Sequence, residues 1–195
     1  MGSAGRRPDV PLDALGPGVC DVAVPDDQIL QWGSPVLYER ARAVEVFDDL
    51  LRAQATRLMR TLQAAGGAGL AATQVGSLRR MFAFRLSPEQ PIDVIVNPRI
   101  RRRSDELSTF IEGCLSFNSV AVAVQRPHAV QVSGFDLDGN ARELACEGFA
   151  ASLVQHEIDH LDGILTLQRA EPAERYRAVT ELLALGRDGA LQTAA

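Results

Sequence analysis

The chain has 195 residues, enough to bury a core within one domain. Its 46% hydrophobic and 23% charged residues match an ordinary globular protein, and a net charge of −5 argues against a role coating nucleic acid. No apolar run approaches the roughly 18 residues of a membrane span, and the opening MGSAGRRPDVPLDALGPG lacks the apolar core of a secretion signal, so the sequence reads as cytoplasmic. Arg6 stands where a myristoylation signal needs Ser or Thr. Cys20, Cys114 and Cys146 show no CxxC spacing and read as reduced thiols, with Cys146 a small hydrophobe on a strand.

Residues 1–25 carry Pro, Gly and Asp without periodicity and read as a flexible extension. A single catalytic domain is expected over 26–186, followed by a frayed tail over 187–195. From Val44 to Ala65, apolar residues recur every three or four positions, which predicts an amphipathic helix stopped by Gly66 and Gly67. Residues 78–146 then give short β-rich runs, RRMFAFRL, IDVIVNP, SVAVAVQRP and HAVQVSGFDLDGNARELACEG, with a hairpin turn at Asp138-Gly139. A second helix is predicted from Gly148 to Asp162, then a strand ILTL, then a third helix from Pro172 to Leu185. The expected class is α+β, with mostly antiparallel sheets packed around a central helix, plus an N-terminal and a C-terminal helix.

That central helix carries QHEIDH. His156 and His160, one turn apart, point the same way and can grip one metal ion, while Glu157, rotated by about 100°, can reach a water on it without ligating. Phe149, Leu153, Val154, Ile158 and Leu161 make the rest of the helix apolar, so the polar trio is buried and needs partners. The competing reading has two core histidines bonded to backbone. Asp159 is open between a salt bridge to an arginine and a role in orienting a ligand. A catalytic site of this type keeps three protein ligands. His128, beside Pro127, reads as exposed. Glu171, Glu174 and Glu181 downstream would complete a zinc-peptidase pattern, and Cys114, in a glycine-containing break, is the other candidate.

Three segments resemble the signature motifs of the peptide deformylases. GAGLAATQ (67–74) is similar to the first, EGCLS (112–116) matches the second, and QHEIDHLDG (155–163) matches the third. With SPVL (34–37), the similarity covers Ile29 to Arg169, and the helical C-terminus resembles the bacterial branch. The resemblance implies hydrolysis of the N-formyl group from formyl-methionyl nascent peptides at the ribosome exit, releasing formate, by a monomer with no membrane and no specific nucleic-acid partner. It implies Cys114, His156 and His160 as ligands of one divalent ion, Fe²⁺ natively, with Zn²⁺, Ni²⁺ or Co²⁺ able to take the site. Glu157 is then the general acid/base, and the Gln74 amide and the Leu115 backbone N–H stabilise the oxyanion.

The same resemblance has the peptide lie as an extra strand along Gly67, Ala68 and Gly69 and beside Gly113. It has the methionine side chain lie among Ala68, Phe110, Phe149, Leu153 and His156, with Glu112 and Arg126 as a supporting ion pair. The chain departs from the pattern after EGCLS, where the family has a Pro and an Arg and this sequence has Asn118 and Ala121. A weaker hold on the peptide beyond its methionine is expected, felt in KM more than in kcat.

Overall fold

The computed structural model describes residues 28–87, 89–117 and 120–187. The expected extension over 1–25, Cys20, Asn118 and the tail beyond 187 lie outside them. Helix α1 spans Asp49–Ala65 rather than starting at Val44. Asp48 sets the start, because its carboxylate accepts the Leu51 amide hydrogen at 2.9 Å, an N-cap. Val44 is held elsewhere: Asn97 accepts from its N–H and donates to its C=O, both at 2.8 Å. Val46 and Leu50, counted into the apolar stripe, are accordingly exposed, while Leu51, Ala55, Leu58 and Leu62 form the buried face.

Five strands make one antiparallel sheet in the order β1-β2-β3-β6-β7: β1 Gly69–Ala71, β2 Met81–Phe84, β3 Asp93–Arg103, β6 Ala129–Phe135 and β7 Ala141–Glu147. The remaining two, β4 Leu107–Glu112 and β5 Val122–Pro127, form a separate antiparallel ribbon. The Asp138-Gly139 turn joins β6 to β7 as expected. Asp136 Oδ1 accepts from the amides of Asp138 and Asn140, each at 2.9 Å, which fixes the turn.

Alternation along β2 explains the layers. Phe82 and Phe84 face helix α2 (Phe149–Leu161) with Ile95, Val130, Val132, Val154 and Ile158. Met81 and Ala83 face the other way, into a second cluster with Leu51, Leu58, Leu62, Val94 and Val96 from α1 and β3. The sheet is thus covered on both faces near β2, and at roughly 1.5–3 kcal/mol per buried large side chain these clusters supply the main stabilisation. A third cluster sits on the ribbon, where Phe117, Val120, Val122 and Val124 meet Leu165, Leu167, Ala178 and Leu182.

The expected strand ILTL is instead helical: α3 spans Thr166–Arg169. Gln168 Oε1 accepts the Leu165 amide hydrogen at 2.7 Å and closes the turn, and the segment joins neither sheet among the described residues. A four-residue apolar run carries no periodicity that separates the two states. Helix α4 spans Pro172–Arg187, two residues past the expected end. No described helix is long and apolar enough to cross a membrane.

Candidate metal centre and cleft

Helix α2 is buried from Ala151 to Leu161, polar residues included. It ends where Gly163 adopts φ 72°, and a Cβ there would collide with the Tyr38 carbonyl, so the close turn after the motif requires glycine. His156 Nε2 and His160 Nε2 stand 3.2 Å apart, and Cys114 Sγ lies 3.2 Å from His160 Nε2. Among the described residues these three form the group whose donor atoms, all within 4.8 Å of one another, can hold a metal ion. Cys114 comes from the stretch just after β4, the histidines from α2, so the cluster joins the ribbon to the main sheet's helix.

The alternative ligands are elsewhere. Glu174 Oε1 accepts the Ala123 amide hydrogen at 2.9 Å, Glu174 and Glu181 pair with Arg177, and Glu171 is exposed at the head of α4. The zinc-peptidase ligand pattern is not assembled. His128, read as exposed, is partly buried, with Nδ1 2.8 Å from Ser108 Oγ and Nε2 3.4 Å from Glu147.

Glu112 sets the state of His156. Burial works against its carboxylate, but hydrogen bonds from His156 and Arg126 win and hold its pKa down at about 2. An ionised carboxylate only accepts, so the proton at 3.0 Å belongs to His156 Nδ1, and Nε2 is the ring nitrogen turned toward Cys114 and His160. Arg126 grips Glu112 with Nε and Nη2, and Ser152 Oγ adds a third donor at 2.7 Å. The pair is fully enclosed, both side chains 5% exposed. Asp159 extends the network: it accepts from Arg126 Nη1 at 2.8 Å and from Arg169 Nε at 2.9 Å. Of the two options for Asp159, the salt bridge is present, to two arginines. Arg169, absent from the sequence reading, carries no local signal because its partner lies ten residues back.

Glu157 is 2% exposed, and its Oε2 has no hydrogen-bond partner among the described residues. Burial pushes its carboxyl up to about 7, opposed by His156. Leaving such an atom unpaired costs on the order of 1–3 kcal/mol or more, a cost sustained where chemistry uses it. With a thiol and two imidazoles converging beside it, the donor set suits a borderline-soft divalent ion with an open position for water.

The site opens into a cavity of about 510 Å³. Gly67, Ala68 and Gly69 form one wall, and Phe110 and Gly113 lie on the opposite strand and its continuation. Leu153 and His156 make the floor with Glu157, and Phe149 stands at the rim, 60% exposed rather than enclosed. A Cβ on Gly69 would collide with Glu157 Oε1, so the wall approaches the acid as closely as backbone allows. Gln74 lines the cavity too: its Oε1 accepts the Ala71 amide hydrogen at 2.8 Å, which turns its NH₂ toward Ser116 Oγ at 3.1 Å and Cys114 Sγ at 3.7 Å. Leu115 also lines the cavity, and its carbonyl accepts from Gln31 at 3.2 Å. Ile111 and Ser152 complete the lining and were not singled out by sequence.

A model of the polypeptide deformylase family matches residues 26–176. The chain belongs to the polypeptide deformylase family. Peptide deformylase 1 of Corynebacterium glutamicum is 40% identical over 154 residues, covering 78% of this chain and 91% of that one. The peptide deformylase of Brucella suis is 41% identical over 145 residues, 72% of this chain and 82% of that one. A crystal structure of a peptide deformylase from Legionella pneumophila superposes with a TM-score of 0.77 at 34% identity, covering 84% of this chain and 96% of that one. One from Synechococcus elongatus, in complex with actinonin, gives 0.75 at 36% identity over 83% and 88%. As a deformylase this chain is a metal-dependent hydrolase. Its departure at Ala121 has a structural counterpart: the Ala121 carbonyl accepts from Arg177 of α4, which ties the segment after the second motif to the C-terminal helix.

Proposed function

We propose that this deformylase removes the formyl group from formyl-methionine at the head of newly made polypeptides in the cytoplasm, as a monomer acting where chains leave the ribosome. Neither a membrane nor specific nucleic-acid binding has a part in this reading. The observation that carries it is the convergence of Cys114, His156 and His160 beside a buried, unpartnered Glu157 oxygen at the end of an apolar cleft. Cys114, His156 and His160 hold the ion, which we take to be Fe²⁺. When bound, it polarises a water and the formyl carbonyl.

Glu157 takes the water's proton at Oε2, and the water oxygen adds to the formyl carbon. The Gln74 amide and the Leu115 N–H donate to the oxygen that gains charge, contributions worth about 3–4 kcal/mol each in comparable sites. Glu157 then delivers the proton to the methionine nitrogen as the C–N bond breaks, and its electron pair stays on that nitrogen. The products are formate and a free amino terminus. The carboxyl's raised pKa suits a group that must both accept and give a proton near neutrality. Gly67, Ala68 and Gly69, with Gly113, hold the peptide backbone, and Ala68, Phe110 and Leu153 receive the methionine side chain, with Phe149 at the rim of that pocket and Glu112 and Arg126 supporting His156.

Protein purified without oxygen in the presence of iron should release formate from formyl-Met-Ala-Ser and carry one iron per chain. No formate from metal-replete protein would overturn the proposal, and a different resident metal would overturn the assignment of Fe²⁺ alone.

A further inference from the structure

Two large apolar side chains at the cleft mouth are left in solvent: Ile111, 72% exposed, and Phe149, 60% exposed, both lining the cavity. The ribbon face that carries Ile111 is free of charge. Along β4, Ser108, Phe110 and Glu112 turn inward while Leu107, Thr109 and Ile111 turn outward. Cross-strand register sets those three opposite Pro127, Gln125 and Ala123 of β5. The outer face of the ribbon therefore carries six uncharged residues, three from each strand, in a chain with 23% charged residues.

The edges point the same way. Among the described residues β4 pairs only with β5, so its other edge has no strand partner; β1, across the cleft, is likewise the end strand of its sheet. An extended peptide laid on such an edge places successive side chains on opposite faces of the ribbon. With methionine turned inward beside Phe110 and Leu153, a following residue turns outward over Ile111. Among the described residues no arginine lines the cavity, Arg85 being turned onto the Gly67 carbonyl at 2.9 Å, and the charged or titratable lining residues (Glu112, Cys114, His156 and Glu157) are ion-paired or gathered around the metal cluster.

We propose that Ile111 and Phe149 select the substrate residues just downstream of formyl-methionine, favouring apolar over charged side chains. The inference rests on the deformylase reading of the cleft. It places affinity beyond methionine in an apolar rim.

The test compares kcat/KM for formate release from formyl-Met-Leu-Leu, formyl-Met-Ala-Ser and formyl-Met-Asp-Asp by metal-replete enzyme. The expected order is Leu-Leu, then Ala-Ser, then Asp-Asp, with a total spread of about tenfold or more, carried mostly by KM. Ile111→Asn and Phe149→Ser should each shrink that spread to about threefold, and Ile111→Val should keep it. Ile111 is a surface side chain, so its replacement should leave metal content intact. Equal kcat/KM on the three peptides, or a spread that survives both substitutions, overturns the inference and leaves the deformylase reading standing. Absence of formate from all three peptides overturns both.

Discussion

His156 Nδ1 donates to Glu112 Oε2 across 3.0 Å, and the same carboxylate is gripped from behind by Arg126 and Ser152. The imidazole ring is thereby oriented before any ion arrives. Glu112→Ala removes the acceptor and leaves Arg126 to Asp159 alone, so metal affinity should fall by about 10- to 100-fold. Dissociation of Co²⁺ into a chelator measures it, and an unchanged rate would show that the ring is held by packing alone.

Cys114 and Cys146 make a matched pair of thiols with different duties. Cys114 Sγ stands 3.2 Å from His160, whereas Cys146 is a buried hydrophobe on β7 whose thiol is pushed up by burial. Cys114→Ser should abolish metal retention through gel filtration, and Cys146→Ser should retain the ion. Elemental analysis of the two variants decides it.

Gln74 is pinned at its oxygen by Ala71 and can turn only its NH₂ to the cleft. Gln74→Leu should lower kcat by about 10²–10³ with KM little changed, since the lost donor serves developing charge. A loss confined to KM would assign Gln74 to peptide binding.

Gly69→Ala places a methyl against Glu157, with Cδ at 2.8 Å and Leu153 Cδ1 at 2.9 Å. Both neighbours are buried and have little room to retreat. Activity should fall by about 10², the effect of displacing a reacting group by an ångström, while far-UV circular dichroism stays native.

Acid should unseat the fold through Glu112. Its ordinary value is 4.5 and its folded value about 2, so as pH falls the unfolded chain takes up the proton first. The contribution is complete above pH 4.5 and drains away between 4.5 and about 2. Denaturant titrations across that window should show the loss in the wild type and a smaller one in Glu112→Gln.

Much of this architecture was readable from residues alone, because helix α2 announces itself by apolar periodicity and by a glycine stop. The His156–His160 spacing is a property of any helix, and Asp138-Gly139 encodes its own turn. What could not be read depends on distant partners. Asp159 and Arg169 meet only because α3 is helical, and four apolar residues do not declare that. The exposure of Ile111 was equally hidden: alternation tells which residues share a face of β4 but not whether anything covers it. Val46 and Leu50 misled for a related reason, since Asp48 and Asn97 settle the start of α1 by hydrogen bonds.

β4–β5 shares no backbone ladder with the five-stranded sheet, and Cys114 stands on one side of that seam while His156 and His160 stand on the other. Glu112 and Arg126 of the ribbon also bind His156, Ser152 and Asp159 of α2 across that seam. The halves are thus fastened twice, and whatever oxidises the thiol or strips the ion should silence the enzyme well before the molecule comes apart.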